Sequence, residues 1–378
     1  MKRPSCLLFP VLLSLAPPAL AGGEDDPVAT PPARDAGSDG WLDLDAEVDA
    51  LRGLGSAKRR QFHLGALVRT VWGYSEDDIG GAGGGAPDVS GFFFEDVDVY
   101  VETELDGFEV RMNVDFDSGG SALEDAFIRV PLPDDASLTV GSFKPRVTRS
   151  ALTDPEDLVF RERTLLGSLF DVWDLGVEYS TGEEPARTTF SVVNGSNGSD
   201  SNHAWTLRYD FSAYEERLTD AEGARDAPNY LRMVIGGFYR MDDTVRGKAD
   251  IWGADLALTM GSWSLHGEFA SLDDELAGTA LIFDGQALTL GPDAQIWSVT
   301  ATQRIAPNVH VAGRYQEPDD ALDTTTYGFA LNWFPTTGPV GFVADATYFD
   351  SDGPEGWIFS VGANFGRTRS RPVEWAGR

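Results

Sequence analysis

The chain has 378 residues, and 61 acidic against 29 basic side chains give it a net charge of −32. Such a polyanion is repelled by nucleic acid and by anionic membrane surfaces, while a single Cys excludes disulfide scaffolds and Cys-rich zinc sites. Aromatic residues make up 11% of the chain in organised runs, which excludes a long disordered acidic chain and leaves a folded protein of one large or two ordinary domains.

Residues 1–21 have the pattern of a secretory signal. Lys2 and Arg3 give the positive start, Cys6 to Leu15 an apolar core interrupted by Pro10, and Ala19-Leu20-Ala21 a small-x-small cleavage site. The apolar stretch is shorter than the roughly 20 residues of a spanning helix. Removing it takes away the only Cys, which suits an exported protein without disulfides. Residues 22–59 are expected to be a linker: Pro, Ala, Asp and Gly without periodicity up to about residue 40, then a short amphipathic segment, WLDLDAEVDALRGL, at 41–54.

From residue 60 to residue 366 one pattern recurs. A segment of about ten residues alternates apolar and polar, then a Gly, Asp, Pro or Asn break follows. In residues 107–117, Phe108, Val110, Met112, Val114 and Phe116 share one face, and Glu109, Arg111, Asn113, Asp115 and Asp117 share the other. Val97, Val99 and Val101 oppose Asp96, Asp98, Tyr100, Glu102 and Glu104 in the same way. Trp357, Phe359, Val361, Ala363 and Phe365 alternate with Ile358, Ser360, Gly362 and Asn364. Such segments begin near residues 60, 92, 107, 121, 137, 173, 186, 203, 230, 249, 262, 295, 308, 324, 338 and 356; residues 279–290 read either as one more strand or as a long loop.

Many antiparallel strands with one apolar face make either a soluble sandwich, apolar inside, or a transmembrane barrel, apolar outside. Three features favour an all-β transmembrane barrel of about sixteen strands. The strands have the 9–11 residues that cross a bilayer when tilted. Aromatic pairs such as Trp72/Tyr74, Tyr209/Phe211, Trp333/Phe334 and Tyr348/Phe349 sit at strand ends, as an interfacial girdle requires. Charge recurs on the second face of strand after strand, which a dry core does not tolerate. Sixteen strands enclose an aqueous channel. The alternative is a secreted or surface-exposed soluble β-rich binding protein.

The stretch 122–180 carries more than alternation. It reads ALEDAFIRV at 122–130, LTVGSFKP at 138–145, DLVFRERTLL at 157–166 and LGVEYS at 175–180. This order resembles the phosphate-selective porin O and P family, in which a LEDAY strand precedes a VGQFKPPF strand, a loop with an ER dipeptide and a GV strand. The resemblance implies an outer-membrane porin, usually a homotrimer, whose third external loop folds into the pore and narrows it. Residues 146–172 are the corresponding loop here, with a helix start expected at Thr153-Asp154-Pro155-Glu156. Lys144, Arg149, Arg161 and Arg163 are its candidate anion-binding residues, because guanidinium groups at a constriction bind phosphate oxygens by charge-assisted hydrogen bonds. The same cations have another available role, pairing with Asp154, Glu156, Asp157 and Glu162 to hold the loop. Inward-facing positions include Arg69, Arg111, Arg208, Arg232, Arg304 and Arg314, but acids outnumber them, and such a lumen favours cations unless the constriction overrides it.

Nothing in the sequence points to catalysis. His63, His203, His266 and His310 fall on different segments without metal-ligand spacing, and GGAGGG at 80–85 lacks the Lys of a phosphate-binding loop. The expectation is a passive, cofactor-free porin of the bacterial outer membrane, residues 60–366 forming the barrel and 367–378 a tail. Its partners are membrane lipids and the small hydrophilic solutes or ions in transit, anions such as phosphate among them; nucleic acid is not one of them.

Overall fold

The computed structural model describes residues 62–76, 89–105, 107–116, 122–182, 185–195, 203–213, 230–243, 248–273, 280–283, 286–320, 322–335, 340–352 and 355–366. The signal, the linker, the tail and most of the excursion at 213–229 lie outside them. In chain order the strands are β1 (Phe62–Ser75), β2 (Val89–Leu105), β3 (Phe108–Asp115), β4 (Ala122–Leu132), β5 (Ala136–Phe143), β6 (Asp174–Thr181), β7 (Ala186–Val193), β8 (Ala204–Ala213) and β9 (Arg232–Asp243). They continue with β10 (Lys248–Met260), β11 (Trp263–Leu272), β12 (Ala280–Phe283), β13 (Gln286–Thr289), β14 (Gln295–Ala306), β15 (Val309–Pro318), β16 (Thr325–Trp333), β17 (Val340–Asp350) and β18 (Gly356–Gly366).

Sixteen of these strands form one closed antiparallel barrel, sealed where β1 pairs with β18 (Val71 opposite Gly362). They are the sixteen segments expected from alternation. The ambiguous residues 279–290 hold the small hairpin β12–β13, which stays out of the ladder because β11 and β14 pair directly, Ser271 opposite Gln295. Its four-residue strands are too short to cross a bilayer.

Alternation sets the two faces. Along β8, Ala204, Thr206, Arg208 and Asp210 point into the barrel and are buried, while Trp205, Leu207, Tyr209 and Phe211 are exposed on the outer wall. A water-soluble sandwich would place these groups the other way round, since exposed apolar area is costly in water and buried charge is costly in a core. Outer-wall rings touch across neighbouring strands: Trp252 meets Phe269 at 5.3 Å between centroids, and Phe269 meets Trp297 at 4.2 Å. Two expected girdle residues lie elsewhere. Phe349 points inward into an apolar cluster, because its neighbour Tyr348 holds the outward position, and the ring of Phe334 packs on the buried His310 at 5.4 Å.

The strand ends differ. β2–β3, β4–β5, β6–β7, β10–β11 and β14–β15 are joined by short turns at one end, where β1 begins and β18 finishes. Although the link from β8 to β9 lies at the short-turn end, the opposite end carries the long connections 144–173 and 273–294; in outer-membrane barrels the long loops face outward from the cell. From that end the third connection, residues 144–173, turns into the barrel.

Candidate functional site

Residues 144–173 contain two short helices and one 3-10 turn. Helix α1 (Arg149–Leu152) starts after Thr148, whose hydroxyl accepts from Ala151 N at 3.4 Å; α2 (Leu165–Leu169) starts after Thr164, whose hydroxyl accepts from Gly167 N at 2.9 Å. The expected helix at Thr153-Asp154-Pro155-Glu156 is only a 3-10 turn, Pro155–Asp157, because the threonines on either side take the capping positions. The loop is seated by apolar contact. Val147, Ala151, Leu165, Leu166 and Phe170 join Phe238, Ile251, Leu272, Ile296 and Phe349 of the inner wall in one cluster. Val159 and Phe160 join Ala312 and Ala330 in another. Gly328 makes the second seat possible, since a Cβ there would stand 2.8 Å from Phe160 Cε1.

Polar bonds fix the loop along the wall from β8 round to β1. On β8 and β10, Arg208 bonds Asp210 (2.6 Å) and Asp255 (2.7 Å) and donates to Val147 O of the loop at 2.6 Å. Arg149 enters the same cluster through Asp255 at 3.1 Å and Asp210 at 3.4 Å. Gly236 faces it across the register: a Cβ there would lie 2.2 Å from Arg208 Nη2 and 2.6 Å from Asp255 Oδ1. On β11, Glu268 accepts from Ser150 N (2.8 Å), Ser150 Oγ (2.6 Å) and Thr164 Oγ1 (2.8 Å). Further round, Gln316 accepts from Leu165 N at 2.7 Å, Arg314 donates to Glu162 O at 2.8 Å, and Asn332 donates to Val159 O at 2.7 Å. Asp345 accepts from Arg161 N at 2.6 Å, and Arg69 donates to Arg161 O at 2.6 Å. Buried polar groups need such partners, so the loop and the wall each satisfy the other.

The four candidate cations are not gathered into one ring. Lys144 and Arg163 meet at the loop root on Asp171, Arg163 at 2.7 Å, and Lys144 also lies 4.0 Å from the centre of the Trp173 ring. Burial, and then the charge of Arg163, lowers the Lys144 ammonium below its usual range against the pull of Asp171. Burial works against the Asp171 carboxylate, but Arg163 and Lys144 outweigh it and hold the carboxyl below its usual range. Arg163 also donates to Ser150 O and Thr153 O. Arg149 points away into the β8–β10 wall, and Arg161 pairs with Glu95 at 3.2 Å and Glu162 at 3.3 Å. Wall carboxylates Asp210, Asp255 and Glu95 thus share these cations with the loop acids Asp171 and Glu162. Asp255, Gln316 and Asn332 went unnoticed in the sequence; alternation marks Asp255 as inward but does not say that a loop reaches it.

The inner wall of β3 to β7 meets the loop at its root, where Trp173 donates to Asp125 at 3.2 Å and Arg146 lies 3.9 Å from Glu178. The space left inside the barrel therefore lies on the β3–β7 side of the loop. Among the described residues, no group of three His, Cys, Asp or Glu side chains is placed to hold a metal ion.

The closed barrel has counterparts among known proteins. Residues 88–225 match the family model described as phosphate-selective porin O and P. Over that stretch the chain is similar to this porin family. That match runs from the start of β2 past β8 and includes the infolded loop. Solved structures of the same fold include the outer-membrane channel DcaP of Acinetobacter baumannii (10% identity, TM-score 0.57, 81% of this chain and 97% of that one). The anion-selective porin of Comamonas acidovorans is similar (11% identity, TM-score 0.56, 82% of this chain and 100% of that one). So is the trimer form of OmpT from Vibrio cholerae (13% identity, TM-score 0.55, 81% of this chain and 99% of that one). At such identities the likeness is one of fold. No curated protein has a matching sequence.

Proposed function

We propose that this porin passes small hydrophilic solutes or ions passively through the space left by residues 144–173, without catalysis and without a cofactor. The observation that carries the reading is the loop itself, which is bonded to wall strands from β8 round to β1 and narrows a barrel otherwise wide enough for an aqueous channel. The four histidines lie apart, with His266 and His310 on the inner wall of different strands, which fits a channel better than an active site. The trimer form of the V. cholerae relative supports a homotrimer, and the leading residues 1–21 support export through a cleaved signal. Reconstitution into liposomes tests the reading: they should swell in isotonic solutions of small sugars and not in larger oligosaccharides, and the protein should show heat-modifiable mobility from the outer-membrane fraction. A detergent-free soluble monomer would refute it.

A further inference from the structure

Helix α2 of the infolded loop is enclosed on more than its wall side. Leu165, Leu166 and Gly167 are all buried, and both leucines are 0% exposed. Consecutive helix positions point about 100° apart, so three in a row sweep about 200° of the helix surface. A wall alone covers one face of a helix laid against it. The remaining cover comes from α1 and from the connection between β11 and β14, which lies at the same end of the barrel as the loop.

That connection carries the hairpin β12–β13, and β12 runs beside α2. Leu288 of β13 and Leu290 just beyond it are 4% and 2% exposed, while Thr289 between them faces out. Both leucines and Ala294 belong to one cluster with Val147, Leu165, Leu166 and Phe170 of the loop and Leu272 and Ile296 of the wall. Backbone bonds fix the connection to the rim. Leu290 bridges Asp320, Gly291 N donates to Asp319 O at 3.1 Å, and Leu272 N donates to Ala294 O at 2.9 Å. Asp320 in turn accepts from Thr324 N at 2.7 Å and from the Thr324 hydroxyl at 2.8 Å.

Resting on the porin reading, we infer that Leu288 and Leu290 are positioning residues for the constriction. The β12–β13 connection straps α2 against β11 and β14 from the outer rim, and so keeps residues 144–173 narrowing the passage. The two leucines act through α2 rather than on the solute. Polar bonds from the wall grip the loop at Ser150 in α1 and at Val159, Arg161 and Glu162 beyond the 3-10 turn. Helix α2 is bonded to the wall at its first residue, Leu165 N to Gln316 at 2.7 Å, and is seated beyond that by apolar packing. Shortening the leucines that complete this packing weakens the seat without removing a hydrogen bond.

The test compares the native channel with the full-length variant carrying Leu288→Ala and Leu290→Ala, both purified from outer membranes and reconstituted. Single-channel records of the variant should show added events of larger conductance. Trypsin cleavage after Arg149, Arg161 and Arg163 in folded barrels should accelerate about tenfold or more. Heat-modifiable mobility should persist, because the closed ladder does not include β12 and β13. Leu288→Met combined with Leu290→Met, which keeps side-chain volume, should restore native conductance and cleavage. Leu290→Val is a milder second variant with the same expected direction, should the double alanine change prevent assembly. Native conductance and native cleavage in assembled variant barrels overturn the inference and leave the porin reading intact. Absence of any conductance from the native protein overturns the porin reading itself.

Discussion

Replacing Asp255 by Ala removes the hub of the loop's anchorage. Asp255 is 1% exposed at its side chain and binds Arg208 at 2.7 Å and Arg149 at 3.1 Å, so the change leaves two buried guanidinium groups short of a counter-charge. Breaking a buried pair in this way costs about 3–5 kcal/mol. Part of that cost is relieved if Arg149 swings out with the loop, since Arg208 keeps Asp210 at 2.6 Å and water can reach the vacated site. If the whole cost favours release, the detached population rises about a hundred- to a few-thousand-fold. The remaining seats, Phe160 against Gly328 and Ser150 on Glu268, oppose full release and put the expected rise near the lower figure. Limited trypsinolysis of folded barrels reports that population when opening and closing are fast relative to cleavage. Cleavage after Arg149, Arg161 and Arg163 should accelerate by about two orders of magnitude, and single-channel records should show added wide-open events. Asp242→Ala, which breaks the Arg240 pair at 2.8 Å away from the loop, serves as the control and should change neither. Equal cleavage rates in Asp255→Ala, Asp242→Ala and native barrels would show that the ion cluster does not hold the loop.

Gly236→Ala should disturb the same cluster by crowding, with a loss of about 1–3 kcal/mol in barrel stability, measured by heat-modifiability, and faster loop cleavage. Arg161→Ala combined with Arg163→Ala should loosen the loop and raise conductance; loss of an anion preference in the same variant would mark these residues as the filter. At the root, Asp171 titrates below its ordinary 3.8, so its stabilisation of the clamp is present above that value and disappears as pH falls through the lower folded value. Loop cleavage by pepsin should therefore rise steeply only below about pH 4, and Asp171→Asn should cleave readily at every acid pH with a flatter profile.

Strand positions were legible because alternation is local. A side chain's face follows from its parity, so Trp205 and Arg208 of β8 are assigned opposite faces without knowledge of any other strand. Parity failed where two adjacent residues are both apolar. Tyr348 and Phe349 read as one girdle pair, yet one must point inward, and Phe349 belongs to the cluster under the loop. Alternation marked the inner face by its recurring charge. Ile251, Leu272, Ile296 and Ile358 make it apolar along the loop's seat, and a single strand's sequence does not show that another segment will cover it. At the candidate site, the sequence marked residues 146–172 and the cations Lys144, Arg149, Arg161 and Arg163, but not the direction of their side chains. Arg149 faces Asp255 across 106 residues of chain, a contact that local pattern cannot contain.

The sequence by itself determined the barrel, its near-sixteen strands, its inverted faces and the segment that narrows it, because each rests on periodicity or a contiguous motif. Closure between β1 and β18, the hairpin left outside the ladder and the inward lie of residues 144–173 were decided only by tertiary structure. A loop with Arg161, Glu162 and Arg163 in succession has no fixed electrostatic character until packing pairs each charge with its partners. Net charge is additive along the chain, but the field in a channel depends on where each charge is held.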